Sequence, residues 1–145
     1  MEWKREEYLV TDQQQDLDIE TIHGFLHESY WARGIPRSIM ERAVANSLCC
    51  GLYHESHQIG FSRAVTDRAT FAYLADVFVL ESYRGRGLGK WLTSCILAHP
   101  ELQGLRRVLL VTADAHELYR QQGFRPLPQP ERFMEIHAPN IYQAT

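Results

Sequence analysis

Three glycines, Gly85, Gly87 and Gly89, alternate with Arg84, Arg86, Leu88 and Lys90 in the stretch "ESYRGRGLGKWL". Glycine lets a turn bring bare backbone N–H groups up to a ligand, and a helix that starts here aims its positive dipole end at the same point. Residue type and spacing thus describe a seat for an anion. A magnesium-dependent phosphate loop needs G-x-x-x-x-G-K-[ST], but Arg84 stands five positions before Gly89 and Trp91 takes the place of the metal-binding hydroxyl. A dinucleotide fingerprint needs G-x-G-x-x-G, whereas Gly85, Gly87 and Gly89 read G-x-G-x-G. A diphosphate held by successive amides fits what is left, with a solvated strand-to-helix turn as the plainer alternative.

The elements that must position this loop follow from periodicity. A short strand is expected at Tyr8 to Thr11, and "DLDIETIHGFLHESYW" carries Leu17, Ile22, Phe25 and Leu26 at helical spacing from a start near Asp16. "GIPRSIMERAVANS" restarts a helix with Pro36 in its first turn. "SLCCGLYHE", "QIGFSRAVTD" and "ATFAYLADVFVL" read as an antiparallel meander whose last strand feeds the loop, with His54 and His57 at a hairpin turn. "LGKWLTSCILAHP" is a helix ended by Pro100, and "LRRVLLVT" a strand buried on both faces. "DAHELYRQQG" is a helix with Asp114 near its start and Gly123 at its end, and "GFRPL" and "ERFMEI" are short closing strands. A strand, a helix and a strand around Trp91 need a crossover, so the flanking strands are parallel in an otherwise antiparallel sheet. The expected fold class is α+β: a mixed, mostly antiparallel twisted sheet with helices on both faces.

Composition narrows the function classes. The 145 residues suit a single domain, 1–145, and the net charge of -3 argues against a nucleic-acid partner. "MEWKREEYLV" lacks a secretory apolar segment and no apolar run reaches the ~18 residues of a membrane span. A cytoplasmic location without membrane association is expected. Cys49, Cys50 and Cys95 are an odd count that fits a reducing compartment, read as small buried residues.

Arg84, Gly87 and Gly89 after the apolar strand "YLADVFVLESY" resemble the R/Q-x-x-G-x-G/A signature of the GNAT superfamily of acyl-CoA-dependent N-acetyltransferases. "HELYRQQGFRPL", with Ala115, Leu118, Tyr119, Gly123 and Phe124 in register, is similar to a second block of the same family. The resemblance implies acetyl-CoA as acetyl donor and a parallel strand pair that splays apart. It puts the main chain of Val77, Phe78 and Val79 along the pantetheine arm. It puts the amides of Arg84, Gly85, Arg86, Gly87, Leu88, Gly89 and Lys90 on the diphosphate. Tyr119 is implied as the acid that protonates the departing thiolate.

The family's general base is usually a carboxylate or histidine near this strand's end. Asp76 is the carboxylate within the strand, but strict alternation puts Tyr73, Ala75 and Val77 on one face and Asp76 on the other unless a bulge intervenes. An ordered water or a residue from the N-terminal third competes for the role. His116 lies one helical turn from Tyr119, as a cofactor contact or a surface residue. Tyr30, Trp31 and Arg33 in "SYWARGIP" are candidate acceptor contacts or an aromatic hinge between helices. His23 and His27 stand one helical turn apart with no third ligand evident, so no metal is expected.

The reading is an N-acetyltransferase acting on a primary amine of a small molecule, peptide or protein by direct attack in a ternary complex. The alternative is a non-catalytic acyl-CoA sensor or scaffold of the same fold. A homodimer is compatible with the family's sheet edges.

Overall fold

Six strands lie side by side in chain order, β1 Glu2–Arg5, β2 Tyr8–Thr11, β3 Leu48–His54, β4 His57–Thr66, β5 Phe71–Val79 and β6 Arg107–Leu110. All neighbours are antiparallel except β5 and β6, which are parallel. The computed structural model describes residues 1–143. Helices α1 Ile19–Glu28, α2 Arg37–Ala45, α3 Leu88–Leu97 and α4 His116–Arg120 complete the regular elements.

The helices cover both faces of the sheet. On one face Ile22 and Leu26 of α1 and Met40 and Val44 of α2 pack on Cys49, Phe61 and Phe78. On the other, Leu88, Leu92 and Ile96 of α3 pack on Val10, Cys50, Leu52 and Leu74. This is the mixed α+β architecture expected, with neighbouring Cys49 and Cys50 on opposite sides of β3. Burial raises both thiols to about 12, so they remain protonated and unreactive. Leu92 is completely buried. Leu92→Ala is expected to cost about 2–5 kcal/mol of stability, read from the urea midpoint.

Local chemistry explains where elements begin. The first helix starts at Ile19 rather than near Asp16, because Asp18 caps it by accepting from the Thr21 N–H, and Gln14–Asp16 forms a separate 3-10 turn. Pro36 stands immediately before α2, where its fixed φ suits the helix and its missing N–H costs nothing. Strand β1, "EWKR", escaped sequence reading because it carries one apolar residue and no clear alternation. Among the described residues no helix is long and apolar enough to cross a membrane.

The C-terminal quarter departs from expectation. The strand expected through "LRRVLLVT" is only four residues long and is not buried on both faces: Val108, Leu109 and Leu110 are half-buried and Val111 is exposed. It is the sheet's last strand and nothing pairs with its outer edge among the described residues. "GFRPL" and "ERFMEI" form no strands; Pro130–Arg132 is a 3-10 turn and the rest is irregular. Pro126, Pro128 and Pro130 remove the amides that a tight hairpin onto β6 would use. Helix α4 starts at His116, beyond Asp114, runs to Arg120, and is closed by Gly123 in the left-handed region, whose N–H donates to the Arg120 carbonyl.

Candidate functional site

The parallel pairing of β5 with β6 stops at Leu74 and Leu110, while β5 continues to Val79. The two chains part there, leaving a cleft of about 1140 Å³ floored by Ala75–Val79 and walled by Leu110–Ala115, α4 and the corner between α1 and α2. Beyond Leu74, the β6-facing edge of β5 has no strand partner among the described residues.

A bulge shapes this edge. Phe61 faces Phe78 and Arg63 faces Ala75, so Ser62 alone stands opposite both Asp76 and Val77. The extra residue on β5 places Asp76 at φ 55 in the left-handed region. The carboxylate then lines the cleft, which strict alternation forbids. Both its oxygens are engaged: Arg63 Nε donates to Oδ2 at 2.8 Å and the Trp31 indole Nε1 donates to Oδ1 at 2.8 Å. The ion pair is largely desolvated, with side chains 16% and 11% exposed, and Arg63 also donates to Ser47 Oγ.

Downstream of β5, a 3-10 turn at Glu81–Tyr83 leads into the glycine loop. Gly85 at φ 81 and Gly87 at φ 74 adopt left-handed backbone, and open space lies where side chains would be. The first helical bond runs from the Trp91 N–H to the Gly87 carbonyl, and Gly87 supplies no side-chain cap to α3. Among the described residues, the amides of Gly85, Arg86, Gly87, Leu88, Gly89 and Lys90 donate to no protein acceptor. This donor row at the head of an apolar helix suits a diphosphate. The expected set began at Arg84, but that amide already donates to the Glu81 carbonyl and the Arg84 side chain reaches back to the Val79 carbonyl. The Arg86 guanidinium leaves the cleft: it donates to Tyr8 Oη at 3.0 Å and lies 5.2 Å from the Tyr83 ring centre.

Tyr119 lines the cleft from α4, its ring 9% exposed and set edge-on to Phe124 at 5.8 Å. Its hydroxyl has no hydrogen-bond partner among the described residues. Burial, with the neighbouring Tyr30 and Asp114, raises the phenol above its ordinary value, so its proton stays on through neutral and mildly alkaline pH. At the far end, Tyr30 Oη accepts from the Ala113 N–H, joining the helical corner to the chain after β6. Phe25 stacks on Phe78 at 4.0 Å. The structure therefore brings Tyr30, Trp31, Asp76, Tyr119, Val77–Val79 and the loop to one cleft. Arg33 does not join them: it is exposed outside the cleft, where its carbonyl accepts from Gln143. His116 is exposed and lines a separate groove outside β6. His23 is engaged by the Ile35 carbonyl at 2.9 Å.

Sequence reading missed Arg63, Phe25, His137 and Tyr142, all of which line the cleft. Arg63 left a signal, a charge inside the apolar run "IGFSRAV". His137 and Tyr142 left none, because they lie on an aperiodic segment that returns across the fold. A side chain at Gly34, φ 81, would come within 2.9 Å of the Tyr142 carbonyl, so the tail packs tightly against the α1–α2 corner.

A family model described as "Acetyltransferase (GNAT) domain" matches residues 45–126. The crystal structure of a GNAT-family protein from Xanthomonas campestris pv. campestris is similar at 45% identity and a TM-score of 0.92, covering 94% of this chain and 97% of that one. The Gibberella zeae acetyltransferase-family protein FG08082 is 32% identical over 140 residues, 81% of this chain and 78% of its own. An uncharacterized N-acetyltransferase of Prochlorococcus marinus is 30% identical over 129 residues, 85% of this chain and 71% of its own.

Proposed function

The chain belongs to the GNAT acetyltransferase family, and from that premise we propose that it transfers an acetyl group from acetyl-CoA to a primary amine by direct attack in a ternary complex. The observation that carries the reading is the row of uncommitted amides from Gly85 to Lys90, at the mouth of a cleft that also holds Tyr119. Acetyl-CoA would supply the thioester carbonyl that the amine attacks.

The protein's part is positional and protonic. The Gly85–Lys90 amides and the dipole of α3 hold the diphosphate, and the unpaired edge at Val77–Val79 offers main-chain groups to the pantetheine arm. A backbone N–H on that edge polarises the acyl carbonyl. Tyr119 keeps its proton until charge develops on the departing sulfur, then delivers it locally, and the proton that the amine loses passes through solvent in the cleft and restores the phenol.

Asp76 acts here by positioning. With Arg63 and Trp31 on its two oxygens, it fixes the bulge and anchors the indole that walls the acceptor end. Asp76→Asn is expected to raise the acceptor KM and leave the acid limb of the pH–rate profile where it was. Loss of that limb would make Asp76 the base instead.

Calorimetry with acetyl-CoA and thiol release across a library of primary amines test the whole reading. Binding together with thiol release from at least one amine is expected. No binding at millimolar acetyl-CoA would overturn it, and binding without turnover on any amine would favour the sensor alternative.

A further inference from the structure

Around Asp76 the cleft is a box of aromatic side chains. Phe25 of α1, Tyr30 and Trp31 of the corner after it, Tyr73 of β5 and Tyr142 of the returning tail all line it. Tyr30 is 59% exposed and Trp31 42%, large ring faces left open to solvent in a concave site. They are nevertheless fixed in place. The Trp31 indole donates to Asp76, Tyr30 Oη accepts from the Ala113 N–H at 3.2 Å, and the two rings meet edge-on at 5.0 Å. Phe25 is tilted against Trp31 at 6.2 Å and stacked on Phe78. Aromatic walls held at set angles favour a flat apolar body, because a preformed slot has little side-chain freedom left to lose when it is filled.

Charge at this end of the cleft selects the same class of ligand. Arg63 is engaged by Asp76 and Ser47, so that ion pair offers no net charge to an acceptor. Arg33 lies outside the cleft, and Arg84 and Lys90 belong to the glycine loop. His137 stands 3.9 Å from Glu135. Asp114 follows the Ala113 amide that holds Tyr30; it lines the cleft, exposed, and its side chain has no hydrogen-bond or ion-pair partner among the described residues. An acceptor bearing a carboxylate or phosphate would enter this end with no free arginine or lysine to answer it and against the charge of Asp114. A neutral aromatic body meets neither penalty.

Given acetyl transfer from acetyl-CoA to a primary amine, on which this inference rests, we propose that the acceptor is an arylalkyl amine without an acidic group. Its ring enters the box formed by Phe25, Tyr30, Trp31, Tyr73 and Tyr142, and its amino group faces the thioester beside Tyr119. The nitrogen–carbonyl bond forms as the carbonyl–sulfur bond breaks, the sulfur leaves with the Tyr119 proton, and the proton lost by nitrogen returns to the phenol through solvent.

Thiol release with phenethylamine, phenylalaninol, phenylalanine and ethylamine as acceptors tests the assignment. Phenethylamine and phenylalaninol are expected to exceed phenylalanine and ethylamine about 100-fold or more in kcat/KM. Phenylalaninol keeps the branch of phenylalanine and lacks its carboxylate, so the gap between those two reads charge and not shape. Trp31→Leu is expected to raise the KM of phenethylamine about 10-fold or more and to leave that of ethylamine within about twofold, whereas a merely structural role of the indole would move both. Asp114→Lys is expected to narrow the phenylalaninol-to-phenylalanine ratio about 10-fold. Phenylalanine, phosphoethanolamine or the diamine cadaverine turned over as well as phenethylamine overturns the arylalkyl assignment and leaves acetyl transfer standing, as does a Trp31→Leu effect equal on both amines. If no amine is turned over, the acetyl-transfer reading fails by itself, and calorimetry of phenethylamine on the CoA-saturated protein decides the box. Binding that weakens in Trp31→Leu supports it as an arylalkyl-amine site, and no binding overturns it.

Discussion

Tyr119→Phe is expected to lower kcat by about 100- to 10,000-fold while leaving acetyl-CoA affinity unchanged, the range for losing a positioned general acid. The substitution removes one hydroxyl that makes no protein hydrogen bond among the described residues and keeps the ring that packs on Phe124. Fold and cleft shape should therefore persist, and an unaltered melting temperature checks this. The raised phenol pKa adds a second signature. A group that must stay protonated keeps activity below its pKa and loses it above, so the wild-type alkaline limb should lie above 10, the ordinary tyrosine value. Full turnover in the phenylalanine variant would remove Tyr119 from the mechanism. An acid limb near the pKa of the free amine would belong to the acceptor, which must lose its proton to attack.

Legibility in the sequence divides along a physical line. Elements fixed by local chemistry could be read: the β3–β4–β5 meander from its turns, α1 and α2 from their apolar faces, α3 from the glycine loop before it. The parallel β5–β6 pair followed from the crossover rule alone. Features set by long-range geometry could not be read. The bulge opposite Ser62 is one residue of mismatch between two strands, and it alone turns Asp76 into the cleft. Without it, alternation put the carboxylate on the wrong face, and Arg63 and Trp31 would have no reason to meet there. The closing strands failed for a related reason. "ERFMEI" has strand composition, but composition does not say whether an edge is within reach, and Pro126, Pro128 and Pro130 interrupt the chain that would bring it back to β6.

Gly87→Val separates the loop's role in binding from its role in folding. Gly87 sits at φ 74 immediately before α3, where a β-branched residue is strained by roughly 1–3 kcal/mol although nothing stands in the way of its side chain. The chain relieves that strain by rotating the local backbone, which turns amides of the 85–90 row away from a common centre. Acetyl-CoA affinity is expected to fall about 10- to 100-fold by calorimetry, the equivalent of roughly 1.4–2.8 kcal/mol. Gly104 supplies the control, with φ 73 and equally open space, on a turn before β6 outside the cleft. Gly104→Val should lower the melting temperature by a similar amount and leave acetyl-CoA affinity intact. If both variants bind acetyl-CoA like the wild type, the amide row is not the diphosphate seat. If both lose affinity together, the loss reports general destabilisation and not the loop. Only a loss confined to Gly87 ties the left-handed turn to the anion, because only there does the backbone conformation decide where the free amides point.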